Sequence, residues 1–361
     1  MSNLDYSSQV AKIKVFGVGG AGTNAVNRMV EEGLQGVDFY VANTDLQSLT
    51  TSPIENKIQL GQALTNGRGA GHNPEVGFKA AQENEDEIRE LMKDTDMVFI
   101  TAGMGGGTGT GAAPIFAKIA KEVGALTVAI VTTPFSFEGK KTLSFANEGL
   151  AKLREHVDSI IIVSNNQLLQ VIGHLPISDS FKEADNVLRQ GVQTITDLTA
   201  IPATINIDFA DVKSTMQNQG NALIGIGLAT GEDKALEAAK QAIQSPLLEA
   251  KIDGAKNAIV NVTGGMSMSL FEADTAVNFI TEAAGGDIDI IFGVAMNESL
   301  DDAIIVTVIA TGFDTPDAPV QTELTLKPQP TKIVKNDTAV EIEVEDLEDN
   351  EIPSFIRSRG R

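Results

Sequence analysis

A chain of 361 residues with 27 lysines and arginines against 49 aspartates and glutamates has a formal net charge of −22, a field that repels nucleic acid and anionic lipid and argues against both as direct partners. It has no cysteine and three histidines, which excludes disulfides and thiolate metal sites and leaves too little for a histidine-rich metal centre. The length exceeds one ordinary compact core and predicts two domains and a tail, while no apolar run nears the ~18 residues needed to cross a bilayer.

Residues 1–12 are polar and read as a flexible N-terminus without the apolar core of a signal peptide, so the expected location is the cytoplasm. A Val- and Ile-rich strand is predicted at 13–18. It runs into Gly17-Val18-Gly19-Gly20-Ala21-Gly22-Thr23-Asn24, which satisfies G-x-G-x-x-G and opens a helix. Glycines there let the backbone approach phosphate oxygens at a helix N-terminus. A dinucleotide-binding enzyme uses the same string, and Asp38 sits near the offset of a ribose-binding acid.

Further strands are predicted at 37–42, 96–102, 126–132 and 159–163, with helices at 75–93 and 112–123 between them. This alternation predicts a parallel sheet covered on both faces. The strand at 96–102 leads into a second loop, Gly103-Met104-Gly105-Gly106-Gly107-Thr108-Gly109-Thr110-Gly111. So many glycines are costly in a mere turn, but they suit backbone amides wrapped round a phosphate, with the two threonines as added donors. No G-x-x-x-x-G-K-[ST] occurs, so the chain is not a P-loop NTPase. Neither loop contains Lys or Arg. The phosphates must then rely on amides, helix dipoles and a metal ion, with Mg²⁺ the expectation.

The clearest helix spans 179–198, where Phe181, Ala184, Val187, Leu188, Val192, Ile195 and Leu198 keep the 3.6-residue period; Ile201-Pro202 ends it. Strands follow at 204–209, 258–263, 288–294 and 303–311, with helices at 233–244 and 270–284, the second opened by a Ser269/Glu272 capping box. These predict a separate α+β domain with a mixed sheet. After Asp314 the chain turns polar and proline-punctuated, then acidic over 341–351, and reads as disordered. It ends Ile352-Pro353-Ser354-Phe355-Ile356-Arg357, a compact apolar cluster before further arginines.

Gly105 to Gly111 resembles the GGGTGTG signature of the tubulin/FtsZ family of GTPases. The resemblance covers nearly the whole chain and points to its bacterial cell-division branch. The loop from Gly17 resembles the family's first nucleotide loop, and Gly69-Ala70-Gly71-His72-Asn73-Pro74 its third. Phe135-Ser136-Phe137-Glu138-Gly139-Lys140-Lys141 resembles the ribose-binding segment, Asn206-Ile207-Asp208-Phe209-Ala210-Asp211 the catalytic loop, and residues 352–357 the C-terminal recognition peptide.

The resemblance implies a Rossmann-like GTPase domain at 13–177, a connecting helix at 178–200, an α+β domain with the catalytic loop at 201–314, a disordered linker at 315–350 and a partner-binding peptide at 351–361. It implies GTP or GDP as ligand, held by Gly20, Ala21, Gly22, Thr23, Asn24, Gly107, Thr108 and Gly109, with Glu138 at the ribose and Thr142 beside it. Asp185 would read guanine, because a carboxylate accepts from N1–H and the exocyclic amine while adenine lacks that donor pair; Asn165 and Asn24 are further candidate base contacts. Asp208 and Asp211, three residues apart, would orient an attacking water for the nucleotide of the next subunit. Two departures stand out. Thr142 occupies a position that usually holds arginine, and Ser164-Asn165-Asn166-Gln167 replaces Pro-Asn-Asp followed by Arg or Lys.

The function so implied is a cytoplasmic, GTP-hydrolysing protein that assembles head to tail into a mid-cell division ring. Its partners would be copies of itself and, through residues 351–361, membrane-tethering division proteins, with no membrane insertion of its own. A polymer scaffold with little or no hydrolysis is the second reading. A Rossmann-type oxidoreductase is the third, and it leaves the second glycine loop, the paired acids and the tail without a role.

Overall fold

The computed structural model describes residues 11–172, 177–200, 203–244 and 252–313. The expected linker and terminal peptide, Ile201-Pro202 and the side chain of Phe181 lie outside them. The chain opens with β1 (Ile13–Val18), α1 (Gly19–Glu31), β2 (Asp38–Asn43), α2 (Leu46–Thr51), β3 (Asn56–Gln59) and α3 (Gln62–Thr65). Next come α4 (Pro74–Glu83), α5 (Glu85–Met92), β4 (Met97–Gly103), α6 (Thr108–Glu122) and β5 (Leu126–Thr133). A 3-10 turn at Ser136–Glu138 precedes α7 (Lys140–Arg154), β6 (Ser159–Ser164), α8 (Asn165–Ile172) and the long α9 (Ile177–Ala200). The remainder is α10 (Phe209–Met216), β7 (Gly220–Ala229), α11 (Lys234–Ile243), β8 (Asn257–Gly264), α12 (Leu270–Ala283), β9 (Asp289–Met296) and β10 (Ile304–Thr311).

The strands lie in the order β3-β2-β1-β4-β5-β6-β7-β10-β8-β9. The first six are parallel. Successive side chains in a strand point to opposite faces, and both faces here are apolar. Ile13, Val15, Met97, Phe99 and Val128 pack with α1 and α9, while Phe16, Val18, Val98 and Ile100 pack with α4, α5 and α6 on the other side. That two-sided burial is why these strands read as continuous apolar runs. The halves of the sheet are joined through Ser159↔Gly220 and Ile160↔Asn221, beyond which β10 runs antiparallel to β7 and β8. The α/β fold with a second, mixed-sheet domain is therefore as expected.

Four local expectations are corrected. The helix predicted over 75–93 is two helices broken at Asn84, whose Oδ1 accepts from the Gly61 N–H at 3.0 Å. The helix predicted from Ala112 begins at Thr108, so half of the second glycine loop is helical. The strand predicted over 204–209 is an irregular segment with one isolated bridge, Ile205↔Val294, before α10. Conversely, β7 had no predicted counterpart. A Cβ on Gly225 or Gly227 would fall 1.9 Å from the carbonyl oxygens of Ala242 and Ala238 respectively, so these glycines exist to let α11 lie directly on the strand. Gly227→Ala is expected to cost about 1–3 kcal/mol, as overpacking does, read as a lower urea midpoint with unchanged slope.

Candidate functional site

The C-terminal end of β1 hands directly to α1, that of β4 to α6 through the four residues 104–107, and the two helix starts touch. Gly19 (φ +76) abuts Gly109, whose backbone nitrogen would be 2.7 Å from a Cβ on Gly19. Gly17 and Gly22 serve this packing: added Cβ atoms would meet the carbonyl oxygen of Gly22 at 2.3 Å and that of Thr101 at 2.4 Å. Gly20, by contrast, is exposed with open space beside it.

Neither α1 nor α6 has a side-chain cap or an acidic residue in its first turn. Asp45, Asn73, Asp208 and Ser269, in contrast, cap α2, α4, α10 and α12. An uncapped helix start presents free N–H donors and the positive end of the macrodipole. Two such starts side by side, with no side chain to satisfy them, form an anion cradle.

The expected ligand residues divide by environment. Ala21 is half-buried and Asn24 exposed, whereas Gly22 and Thr23 are buried, and the Thr23 hydroxyl donates to the Gly19 carbonyl at 2.8 Å. In the second loop the Thr110 hydroxyl accepts from the Gly105 N–H at 2.8 Å, and those of Thr108 and Thr44 lie 2.7 Å apart. Both thus brace the loop. Gly106 faces open space, and Gly107 is pressed against Ala70 and Asn73 of the loop at 66–73.

After β5, Phe135 stacks on Phe137 at 4.9 Å. Glu138 is exposed, and one carboxylate oxygen accepts from the Phe135 N–H at 2.9 Å. Thr142 is buried; its hydroxyl donates to the Glu138 carbonyl at 3.0 Å, and its methyl leans on Gly105.

Asp185, half-buried on α9, has its carboxyl pushed up to about 7 by burial, an effect only partly offset by the Arg28 guanidinium. Among the described residues, Arg28 Nε on α1, whose charge acts on the Asp185 carboxyl, and Asn165 Oδ1 at the start of α8 are buried polar atoms without partners. Buried polar atoms are normally paired, so unmet donors and acceptors of this kind fit a ligand with its own polar edge. Sequence reasoning missed Arg28. Its one signal was its place on α1 a single turn after Asn24.

Asp208 and Asp211 form a reciprocal capping box on α10. Asp208 Oδ1 accepts from the Asp211 N–H at 2.9 Å, and Asp211 Oδ2 from the Asp208 N–H at 3.2 Å. They follow the far end of α9, a helix of 24 residues. The span from Asp185 to the end of that helix is about 22 Å at 1.5 Å per residue. α10 is also tied to the start of β6, the Met216 carbonyl accepting from the Ser159 hydroxyl at 2.6 Å, whereas the glycine loops lie at the C-terminal ends of the parallel β1 and β4, so within one chain the acids are remote from those loops. No group of three or more His, Cys, Asp or Glu side chains that could hold a metal ion occurs among the described residues.

Residues 12–173 match the model of the tubulin/FtsZ family GTPase domain, and residues 220–314 that of the FtsZ family C-terminal domain. Among solved structures, an empty FtsZ dimer of M. jannaschii is 42% identical, with 86% of this chain and 93% of that chain covered and a TM-score of 0.79. A GTPγS-bound protofilament of CetZ2 from Haloferax volcanii is 20% identical over 85% of this chain and 94% of that one, with a TM-score of 0.72, and shares the fold. A GDP-bound CetZ1 monomer from the same organism matches at 20% identity, covering 85% and 96%, with a TM-score of 0.74.

Proposed function

The chain belongs to the tubulin/FtsZ family of filament-forming GTPases, and from that premise we propose that it is a cytoplasmic cell-division protein whose GTP is hydrolysed only where two subunits meet. The observation that carries this reading is the separation of two half-sites. The uncapped starts of α1 and α6 touch at the C-terminal ends of β1 and β4, whereas the paired carboxylates open α10, whose last turn is tied to the opposite end of the sheet by the Ser159 hydroxyl donating to the Met216 carbonyl. A head-to-tail neighbour supplies what each subunit lacks, and such contacts generate open filaments.

In the proposed complex the amides of α1, α6 and Gly106 hold the phosphates. Asp185 accepts from guanine N1–H and the amine, while Arg28 donates to its keto oxygen. Glu138 offers its outer carboxylate oxygen to the ribose. Mg²⁺, if bound, would supply neutralisation of the phosphate charge. Asp208 and Asp211 of the adjoining subunit orient the water. The higher identity to FtsZ than to CetZ supports a division role, with residues 351–361 docking on a membrane-tethering partner.

Phosphate release against protein concentration, with light scattering in GTP, GDP and ATP, tests this. Turnover per chain should rise steeply above a threshold with GTP and stay at baseline with ATP. A monomer in GTP and Mg²⁺ that shows no preference for guanine over adenine would falsify it. The missing arginine at Thr142 gives a narrower expectation. At pH 8 Thr142→Arg should bind GTP about tenfold more tightly, the worth of one charge-assisted hydrogen bond; equal dissociation constants would discard that role for the position.

A further inference from the structure

α10 presents Asp208 and Asp211 at one end, and its eight residues cover about 12 Å. At its other end two hydroxyls from distant strands close on consecutive carbonyls. The Ser159 hydroxyl, at the start of β6, donates to the Met216 carbonyl at 2.6 Å. The Thr311 hydroxyl, at the end of β10, donates to the Thr215 carbonyl at 2.7 Å. Both side chains are fully buried. The last carbonyls of a helix have no partner within it. In α10 the Lys213 carbonyl accepts from the Gln217 N–H at 2.9 Å, and the two hydroxyls serve Thr215 and Met216.

The strands that send these hydroxyls belong to different halves of the sheet. β6 closes the parallel half and β10 lies in the mixed half, and β6 meets β7 at Ser159↔Gly220 and Ile160↔Asn221. The chain leaving α10 is bound to the same seam. Asp158 Oδ1 accepts from the Asn218 N–H at 3.3 Å, and the Asp158 carbonyl from the Gly220 N–H at 2.9 Å. The buried face of α10 is otherwise held by Val212 and Met216 in the core shared with α9. Apolar contact has no direction and lets a short helix turn or slide on its bed, whereas a hydrogen bond demands distance and angle. One hydroxyl from each side of the seam therefore fixes α10 in rotation and height. At the acid-bearing end the side chains of Asp208 and Asp211 bond to each other's backbone, so their placement is the placement of α10 itself.

Granted the reading above that Asp208 and Asp211 serve the neighbour's nucleotide, we propose that Ser159 and Thr311 are positioning residues for hydrolysis. Their hydroxyls set where α10 lies across the seam, and with it where the paired carboxylates meet the adjoining subunit's terminal phosphate. Neither residue touches the nucleotide of its own subunit or the reacting water. Phosphoryl transfer depends on placement and charge more than on base strength, and a misplacement of about 1 Å costs about 100-fold in rate. A helix freed from one of its two hydroxyls keeps its apolar bed and its Asp208/Asp211 cap, and so stays folded, but it no longer holds the acids at one height.

The test is phosphate release per chain, read beside GTP affinity and pelleted mass. Ser159→Ala and Thr311→Val chains should bind GTP and assemble as the native chain does. Each should release phosphate about tenfold more slowly, and the two substitutions together about 100-fold more slowly. Thr311→Ser keeps the hydroxyl and should turn over at close to the native rate. Mixing then reads which side of the interface is at fault. The doubly substituted chain has an intact nucleotide side, so an Asp185→Asn chain, whose acids are sound, should restore its turnover. An Asp208→Asn chain, whose acid side is defective, should not. Native turnover in the double variant, with Asp208→Asn slow, overturns the assignment and leaves the acids their role. GTP binding or assembly that falls in step with turnover, or a loss that the Asp185→Asn chain fails to restore, marks the hydroxyls as holding the fold alone and overturns the assignment too. Native turnover in both Asp208→Asn and Asp211→Asn overturns the reading of the acids, and this assignment with it. The single variants carry the test if the double variant does not fold.

Discussion

Asp208→Asn and Asp211→Asn chains are expected to bind GTP and assemble into filaments while releasing phosphate at least about 100-fold more slowly, the lower end of what a positioned acid–base group contributes. Each carboxylate spends one oxygen on the reciprocal cap of α10. The other oxygen is available to a water on the neighbour's terminal phosphate, where positioning and charge matter more than base strength. Asparagine keeps an oxygen for the cap, whereas alanine at position 208 would remove it at a cost of about 1 kcal/mol. The asparagine variants therefore separate hydrolysis from folding. Pelleting and phosphate release on the same samples read the two properties. Near-native turnover in both variants would take these residues out of the mechanism. A mixture with an Asp185→Asn chain adds a test of geometry. One partner has intact acids and the other an intact base reader, so acids acting across the interface should restore turnover that each chain lacks alone.

GDP affinity is expected to fall about tenfold from pH 8 to pH 6, and Asp185→Asn should bind guanine nucleotides about 10–100-fold more weakly with that pH slope removed. Burial pushes the Asp185 carboxyl up to about 7 in the ligand-free chain, and only the ionised form accepts from both guanine donors. Below that value each unit of pH therefore weakens binding tenfold. The sign for stability is the reverse. The folded value lies above the unfolded one, so Asp185 stabilises the empty fold fully only in acid, and that contribution is lost as pH rises through about 7. An empty chain should accordingly gain thermal stability at pH 8 when Asp185 is replaced by Asn, although the same change weakens the complex. Isothermal titration with GDP and melting curves at both pH values check the pair of effects; a pH-independent GDP affinity in the native chain contradicts the role of the carboxylate.

Much of the first half was legible because its sheet is buried on both faces. The runs at β1, β4 and β5 are mostly apolar, broken only by Lys14 and a few threonines, and glycine loops follow the first two. α9 was equally plain, with Leu188, Val192 and Ile195 fully buried at helical spacing. What escaped were elements shaped by a neighbour. β7 hid behind Gly225 and Gly227, which weaken a strand on their own and make sense only once α11 lies on them. α7 starts at Lys140 with a polar first turn, and its buried face becomes apparent only against α6. The segment 204–209 has strand-like residues but finds a single partner, Val294.

The candidate site divides in the same way. Local chemistry announced the cradle, since closely spaced glycines after an apolar strand have few other uses, and two carboxylates three apart at a helix start form a cap in any context. Distance and desolvation are not local. That α1 and α6 start in contact and uncapped, that Arg28 reaches Asp185 and, like Asn165, holds a buried polar atom without a partner among the described residues, that His72 meets Thr142 across 70 residues of chain, and that α10 is tied to the end of the sheet away from the loops all depend on where the backbone returns. A sequence pattern records which groups a residue can offer to its near neighbours. Packing alone brings remote segments within a few ångströms, removes water from around a carboxyl and leaves a donor with nothing of its own to bind.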